Sequence, residues 1–261
     1  MMKALYTGAT GMMAQTYNLD TIANNLANVN TTGFRQNLAR FQDLIYQTLK
    51  APGAPIGASV VPVGQQVGLG VQVGSSEKIF TQGSLQQTSN PLDVAIEGDG
   101  FFQVTLPDGT TAYTRDGGFK EDASGAVVTA NGYFLQPQIS IPSNALQVSI
   151  GTDGTVTALV PGATNTTTLG QITLARFTNP AGLQPLGQNL FIQTEASGTP
   201  IVSQPGLNGA GILEGGYIEQ SNVSLVNEMV NMIVAQRAYE ANSKTITTSE
   251  QMLATAVQTK Q

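Results

Sequence analysis

Apolar residues recur every seven positions at both ends of this chain, and that spacing restricts what the ends can form. Leu5, Met12, Leu19 and Leu26 are seven apart, with Ala9, Thr16 and Ala23 at intermediate positions and Ile22 and Val29 widening the stripe. Leu225, Met232, Tyr239, Ile246 and Leu253 repeat the spacing near the C-terminus, with Met229 and Val257 on the alternate positions. A stripe of this period lies along one side of an α-helix and needs another helix to cover it. The first helix is predicted to stop near Asn30, where Thr31-Thr32-Gly33 breaks it. Gly8 and Gly11 weaken its first turns by roughly 1 kcal/mol each relative to alanine, and they let another backbone come close. The second is predicted to be one helix of ~36 residues, roughly 54 Å long. Asn222 or Ser224 caps it and Glu228 sits near its positive end. Thr247-Thr248-Ser249-Glu250 fits a capping box, but the seven-residue repeat continues through it.

Between the helices the pattern changes. Turn signals recur at Pro107-Asp108-Gly109, Ser124-Gly125, Asn131-Gly132 and Asp153-Gly154, flanked by β-favouring runs such as Phe101-Phe102-Gln103-Val104. The expected fold class is α+β: paired, coiled-coil-like N- and C-terminal helices with an inserted antiparallel all-β, barrel-like domain. The expected divisions are a helical region with the start of a connector (1–45), an extended Pro/Gly/Val arm (46–72), a β-rich domain (73–219) and a C-terminal helix (220–261). In the arm, Val67, Leu69, Val71 and Val73 alternate strictly and can pair as a strand. Either a linker or an extended arm or hairpin docking on a neighbour fits its composition.

Charge is scarce. Charged residues are 11% of the 261, against roughly 25% in an ordinary soluble domain. The stretch 22–35, IANNLANVNTTGFR, holds Asn24, Asn25, Asn28 and Asn30 and one charge, Arg35. On a helical wheel Asn24 and Asn28 fall opposite the apolar stripe and Asn25 on its flank. Amides cost less to bury than charges when each finds a partner. The helix is therefore read as enclosed on both sides, by its own C-terminal helix and by further copies. Such a contact is head-to-tail, and if its rotation does not close it generates an open helical filament.

The residue inventory excludes much else. Lys and Arg are scattered and the net charge is −6, so nucleic acid has no basic stripe to meet. With neither His nor Cys, the commonest bases, thiol nucleophiles and soft metal ligands are missing. Glu97 and Asp99 are read as turn residues rather than a glycosidase pair. Asp116, Glu121 and Asp122 lack EF-hand spacing, and Gly68-Leu69-Gly70 opens no helix that would bind phosphate. No cofactor, metal or catalytic residue is expected. No stretch is apolar for long enough to span a membrane, and the first residues lack the apolar core and cleavage site of a secretory signal. Gln236, Arg237 and Glu240 form either a solvated face or bonds between subunits, with Arg237 to a carboxylate as the natural pair.

Three collinear blocks resemble one family. Asn24-Asn25-Leu26-Ala27-Asn28 followed by Thr32-Gly33-Phe34 is similar to the N-terminal signature of the bacterial flagellar rod and hook proteins. Asp93-Val94-Ala95-Ile96-Glu97-Gly98-Asp99-Gly100-Phe101-Phe102 resembles their central motif. Ser221-Asn222-Val223 and Gln236-Arg237-Ala238-Tyr239-Glu240-Ala241-Asn242-Ser243-Lys244 resemble the C-terminal one. Within the family the chain most resembles the distal rod members, with the loosest match over 55–66. The resemblance implies a non-enzymatic subunit, exported unfolded through the flagellar type III apparatus and polymerising in the periplasm into a hollow shaft. It implies that the terminal helices form the inner tube and that the arm with Val67, Leu69, Val71 and Val73 stiffens the shaft. The implied neighbours are further copies, proximal rod and hook proteins, and the surrounding peptidoglycan and outer-membrane rings. A proximal rod or hook protein is the alternative within the family. A secreted β-domain binder or carbohydrate hydrolase is the alternative outside it.

Overall fold

The computed structural model describes residues 2–53, 55–56, 59–60, 63–162 and 165–258. The chain forms two compact units, one made of Met1–Ala27, Asn37–Glu77 and Ser224–Gln261, the other of Asn28–Gln36 and Lys78–Val223.

Two helices dominate the first unit, α1 (Met2–Ala27) and α2 (Leu225–Gln258). They pack antiparallel, with Gly8 beside Ile246, Gly11 beside Asn242 and Asn25 within 3.5 Å of Glu228. α2 is continuous through Thr247–Glu250, as the repeat requires. The Glu228 N–H donates to the Ser224 carbonyl at 3.0 Å, the first bond of the helix, which makes Ser224 rather than Asn222 its cap.

The strands of this unit are β1 (Asn37–Asp43), β2 (Tyr46–Lys50), β3 (Pro55–Ile56), β4 (Ser59–Val60), β5 (Gln65–Gly68) and β6 (Val71–Lys78). β2 pairs antiparallel with β5 and β3 with β4, and β1 lies hydrogen-bonded beside β6. The arm is thus a hairpin rather than a linker; its residues 54, 57, 58, 61 and 62 lie outside the described ones. The alternating run Val67–Val73 is not one strand. It breaks at Gly70, whose φ is 119°, so that Val67 belongs to β5 and Val71 and Val73 to β6. A side chain at Gly70 would collide with Thr10 Oγ1 of α1, so glycine is required there both for conformation and for space.

The second unit is β-rich. Its strands are β7 (Leu85–Gln87), β8 (Val94–Glu97), β9 (Phe101–Thr105), β10 (Thr111–Thr114), β11 (Lys120–Glu121), β12 (Val127–Val128), β13 (Phe134–Gln136), β14 (Gln147–Ile150), β15 (Thr155–Leu159), β16 (Thr167–Gln171), β17 (Leu174–Arg176), β18 (Gln184–Gly187), β19 (Leu190–Ile192), β20 (Ile201–Ser203), β21 (Ile212–Gly215) and β22 (Tyr217–Glu219). The largest sheet runs β11-β12-β13-β9-β10-β19-β18, and β17 joins β9 to β20. β14, β15 and β16 form a three-stranded meander, and β8 with β21 and β7 with β22 form two-stranded pairs.

β9 explains the continuous apolar run Phe-Phe-Gln-Val, because it is buried on both faces. Phe102 packs with Ile96, Phe119, Leu135, Ile172 and Leu174 on one side. Phe101 packs with Tyr113, Phe177, Leu183 and Phe191 on the other. Two cores on opposite sides of one strand are incompatible with the barrel-like domain expected from the turn spacing. Among the described residues the large sheet stays open, ending at β11, β18 and β20.

The hairpin turns share one device. Asp108 Oδ1 accepts from the Thr110 N–H and hydroxyl, Asp122 Oδ1 from Ser124 and the Ala126 N–H, and Asp153 Oδ1 from Thr155. Hydroxyl bonds first, then backbone N–H bonds, hold all three carboxyls below the ordinary aspartate value. A depressed folded-state value adds stability above the unfolded value of about 3.9 and loses it as pH falls through the lower one. Thermal melts between pH 5 and pH 2 should therefore be less steep in acid for the triple variant Asp108→Asn, Asp122→Asn, Asp153→Asn. An unchanged acid limb would show these turns contribute nothing to it.

Candidate assembly interface

Heptad arithmetic and side-chain size disagree about which helix positions lie closest. On α1 the buried residues are Gly8, Ala14, Ile22 and Asn25, and on α2 Glu228, Ala235 and Ser249. A Cβ on Gly8 would stand 2.9 Å from Ile246 Cγ1, and one on Gly11 2.8 Å from Asn242 Nδ2. Small and amide side chains thus occupy the centre of the pair. Leu5, Met12, Leu19, Leu26, Met232, Asn242, Ile246 and Leu253 are half-buried beside it. Leu225 and Tyr239 are exposed, as are Thr16, Ala23, Met229 and Val257. The apolar heptad positions of α2 flank its tightest row, which runs Glu228, Ala235, Asn242 and Ser249.

The asparagines have separate roles. Asn25 is 1% exposed. Its Oδ1 accepts from the Asn37 N–H and its Nδ2 donates to the Asn37 carbonyl, both at 2.8 Å. One amide therefore satisfies both main-chain groups at the start of β1, which no charged side chain could do. Asn28 Oδ1 accepts from the Thr31 hydroxyl at 3.1 Å, holding the turn after α1, and Asn24 is exposed. Enclosure by further copies is therefore not needed to explain Asn25. Asn25→Ala should cost about 1–3 kcal/mol by orphaning the Asn37 groups, read as lost exchange protection of the Asn37 amide. Retained protection would rule this role out.

The other motif residues build a junction inside the β-rich unit. Thr32 Oγ1 donates to Asp116 Oδ1 at 3.0 Å, and its carbonyl accepts from Asn189 Nδ2 at 2.9 Å. Gly33 has a φ of 66°, and a Cβ there would lie 2.7 Å from the Asp116 nitrogen. Phe34 lies under Lys78 Nζ, 5.2 Å from the ring centre. Ser221 Oγ accepts from the Val223 N–H at 3.2 Å. Asn222 accepts from the Gln36 N–H and donates to the Ile79 and Thr81 carbonyls at 2.8–3.0 Å. These partners all lie within the one chain.

Beneath this junction is a charge network that reading the sequence missed. Arg35 Nη1 is 2.8 Å from Glu219 Oε1 and Arg115 Nη1 3.5 Å from Oε2, with all three side chains at most 4% exposed. Glu219 Oε1 also accepts from the Gly83 N–H at 2.8 Å. Arg115 donates to the carbonyls of Ile96 and Gly98, which ties down the turn where Gly98 and Gly100 have φ of 105° and 144°. Burial lowers the Arg115 guanidinium to about 10, against the pull of Glu219 and with the push of Arg35. It stays charged at neutral pH. The only sequence signal was that Arg35 follows Thr32-Gly33-Phe34 and Glu219 lies two residues before Ser221-Asn222-Val223 in a chain poor in charge.

Asp116 is occupied by Thr32 and the Gly118 N–H and Asp122 by its own loop, Asp99 is an exposed turn residue, and among the described residues no cluster of acidic groups could hold a metal ion. Arg237 and Glu240 bond each other at 2.8 Å on the exposed face of α2, with Gln236 exposed beside them.

A pair of helices with exposed apolar faces, separated in sequence by a β-rich insertion, suits a subunit that assembles with others, and comparison with known proteins agrees. Three family models match: "Flagella basal body rod protein" over 5–35, "Flagellar hook protein FlgE/F/G D1 domain" over 95–158 and "Flagellar basal body rod FlgEFG protein C-terminal" over 214–259. The chain is 51% identical over 259 residues to "Flagellar basal-body rod protein FlgG" of Borreliella burgdorferi, covering 98% of each chain. It is 50% identical to the protein of that name from Agrobacterium fabrum (96% of this chain, 97% of the relative). In Bacillus subtilis the figure is 42%, with 97% of each covered. The chain belongs to the FlgG family of flagellar basal-body rod proteins. It is a structural rod subunit and not an enzyme.

Proposed function

We propose that this subunit builds the distal part of the rod, a straight hollow shaft that carries motor torque to the hook. End-to-end similarity at about half identity to proteins named for the rod carries the reading. The helical unit would form the inner tube and the β-rich unit the outer layer. Among the described residues no helix is long and apolar enough to cross a membrane. Export through the flagellar type III apparatus, assembly in the periplasm, and contacts with proximal rod and hook proteins and with the peptidoglycan and outer-membrane rings follow from the family resemblance. The residues proposed to meet neighbours are those of the helical stripes, together with Asn24, Gln236, Arg237 and Glu240 on the outer faces.

The hairpin β2–β5 is the proposed stiffening element. β2 is exposed along its whole length, and Lys3 Nζ of α1 donates to Gln47 Oε1 at its start. A strand pair braced on a helix resists bending better than a free linker of the same length. Transplanting residues 46–74 into a related hook protein should straighten the hook, and an unchanged curved hook would remove the stiffening role.

Deleting the gene in the bacterium that encodes this chain tests the function as a whole. Isolated basal bodies should lack the outer part of the rod and carry no hook. The full chain should restore both, and a chain lacking residues 2–27 and 225–258 should restore neither. Complete hooks in the deletion strain would contradict the proposal.

A further inference from the structure

The first three turns of α2 carry a broad apolar face, with Asn227, Glu228 and Asn231 together on the remaining side. Leu225, Val226, Met229, Val230, Ile233 and Val234 are between 48% and 69% exposed; at 100° per residue Val226, Val230 and Ile233 lie opposite the row that meets α1, Met229 and Val234 fall on the two flanks, and Leu225 lies nearer α1. So wide an apolar face belongs in an interior, and among the described residues nothing covers it. α1 carries a second bare face. Met2, Tyr6, Met13 and Tyr17 are between 37% and 79% exposed. At 100° per residue they fall within about 60° of one another, on the side away from Gly8 and Ile22.

We infer that these two faces are partners in trans: the Met2–Tyr6–Met13–Tyr17 stripe of one copy seats on the Leu225–Val234 face of the next. The inference rests on the chain being a rod subunit. A contact of α2 face with α2 face, or of α1 stripe with α1 stripe, is isologous and closes on itself as a dimer. A rod needs a heterologous contact between two different surfaces, and these are two broad apolar faces of the helix pair, one on each helix. The shapes agree. One is a narrow row of long Met and Tyr side chains, and the other is a broad field dominated by stiff β-branched residues that leave gaps between rows.

The areas agree as well. At roughly 200 Å² per large side chain, about half of it exposed, each face offers on the order of 500 Å². One pairing then buries about 1,000 Å², the lower limit for a specific contact. A single contact would therefore be weak, while a copy inside an array makes two and is held.

Cysteine pairing in assembled rods tests this directly, since the chain has no cysteine of its own. Met13→Cys is combined in turn with Val226→Cys, Val230→Cys or Val234→Cys in the native bacterium, and isolated rods are treated with a mild oxidant. At least one double variant should give a ladder of dimers, trimers and longer products, and each single variant should give monomer alone. Rods that form normally but give no ladder overturn the pairing and leave the rod assignment intact, as do single variants that give dimers. Absence of the unsubstituted chain from isolated basal bodies would overturn the rod assignment and the pairing with it.

Discussion

Glu219→Gln should destabilise the β-rich unit by about 3–5 kcal/mol, the cost of leaving a buried charge without its partner. The substitution keeps the shape of the side chain and an oxygen that can accept from the Gly83 N–H. It removes only the charge that stands between Arg35 and Arg115, both nearly inaccessible to solvent. At 2–4 °C per kcal/mol for a unit of this size, the melting temperature should fall by roughly ten degrees. Glu77→Gln supplies the comparison. It breaks an ion pair with Arg40 of nearly the same length, 3.1 Å, but with both side chains substantially exposed. Its effect should be about 0–1 kcal/mol. Amide exchange in β9 and β10 reads the first effect. Equal small losses from both substitutions would show that Glu219 does not hold the junction together.

Ile22→Asp should open the helical pair and leave the β-rich unit alone. Ile22 is 4% exposed, so an aspartate there buries a charge in place of an apolar side chain, at a cost of about 3–5 kcal/mol in addition to lost packing. The variant should be absent from rods, while exchange protection in β9, β10 and β17 stays at the level of the unsubstituted chain. Leu26→Asp, at a half-buried position, should act in the same direction with a smaller effect. Normal rods built from Ile22→Asp would mean that the α1–α2 contact is not needed for assembly.

Much of this molecule is legible from its residues, and the failures have physical causes. The two helices could be read because a period of seven is local, and α1 ends at Ala27, close to the break expected near Asn30. The turns at Gly109, Gly132 and Gly154 could be read because each glycine takes a φ near +83° that other residues resist. Gly8 and Gly11 could be read as points of close approach on α1, because backbones come nearest where side chains are small. The matching row of α2 could not, because apolar size was taken as the guide there and the row runs through Glu228, Ala235 and Ser249 instead. The open sheet could not be foreseen from turn spacing. Closure depends on which strands pair, and β9 pairs with β10 next to it but also with β13 and the distant β17. The charged junction was out of reach for the same reason, since Arg115 and Glu219 are 104 residues apart in the chain. The family motifs were visible as strings, but their work was not. Thr32, Gly33, Ser221 and Asn222 hold the chain's own junction together, so part of each signature records folding rather than contact with neighbours.

The account stands on one claim, that the helical unit of each copy is completed by the helices of other copies. Helical reconstruction of rods isolated from the native bacterium, at a resolution that shows side chains, tests it most directly. The expected map has Tyr6, Met13, Val230 and Val234 of every copy covered by helices from adjacent copies. A map in which these faces are bare, and copies meet only through their β-rich units, would contradict it.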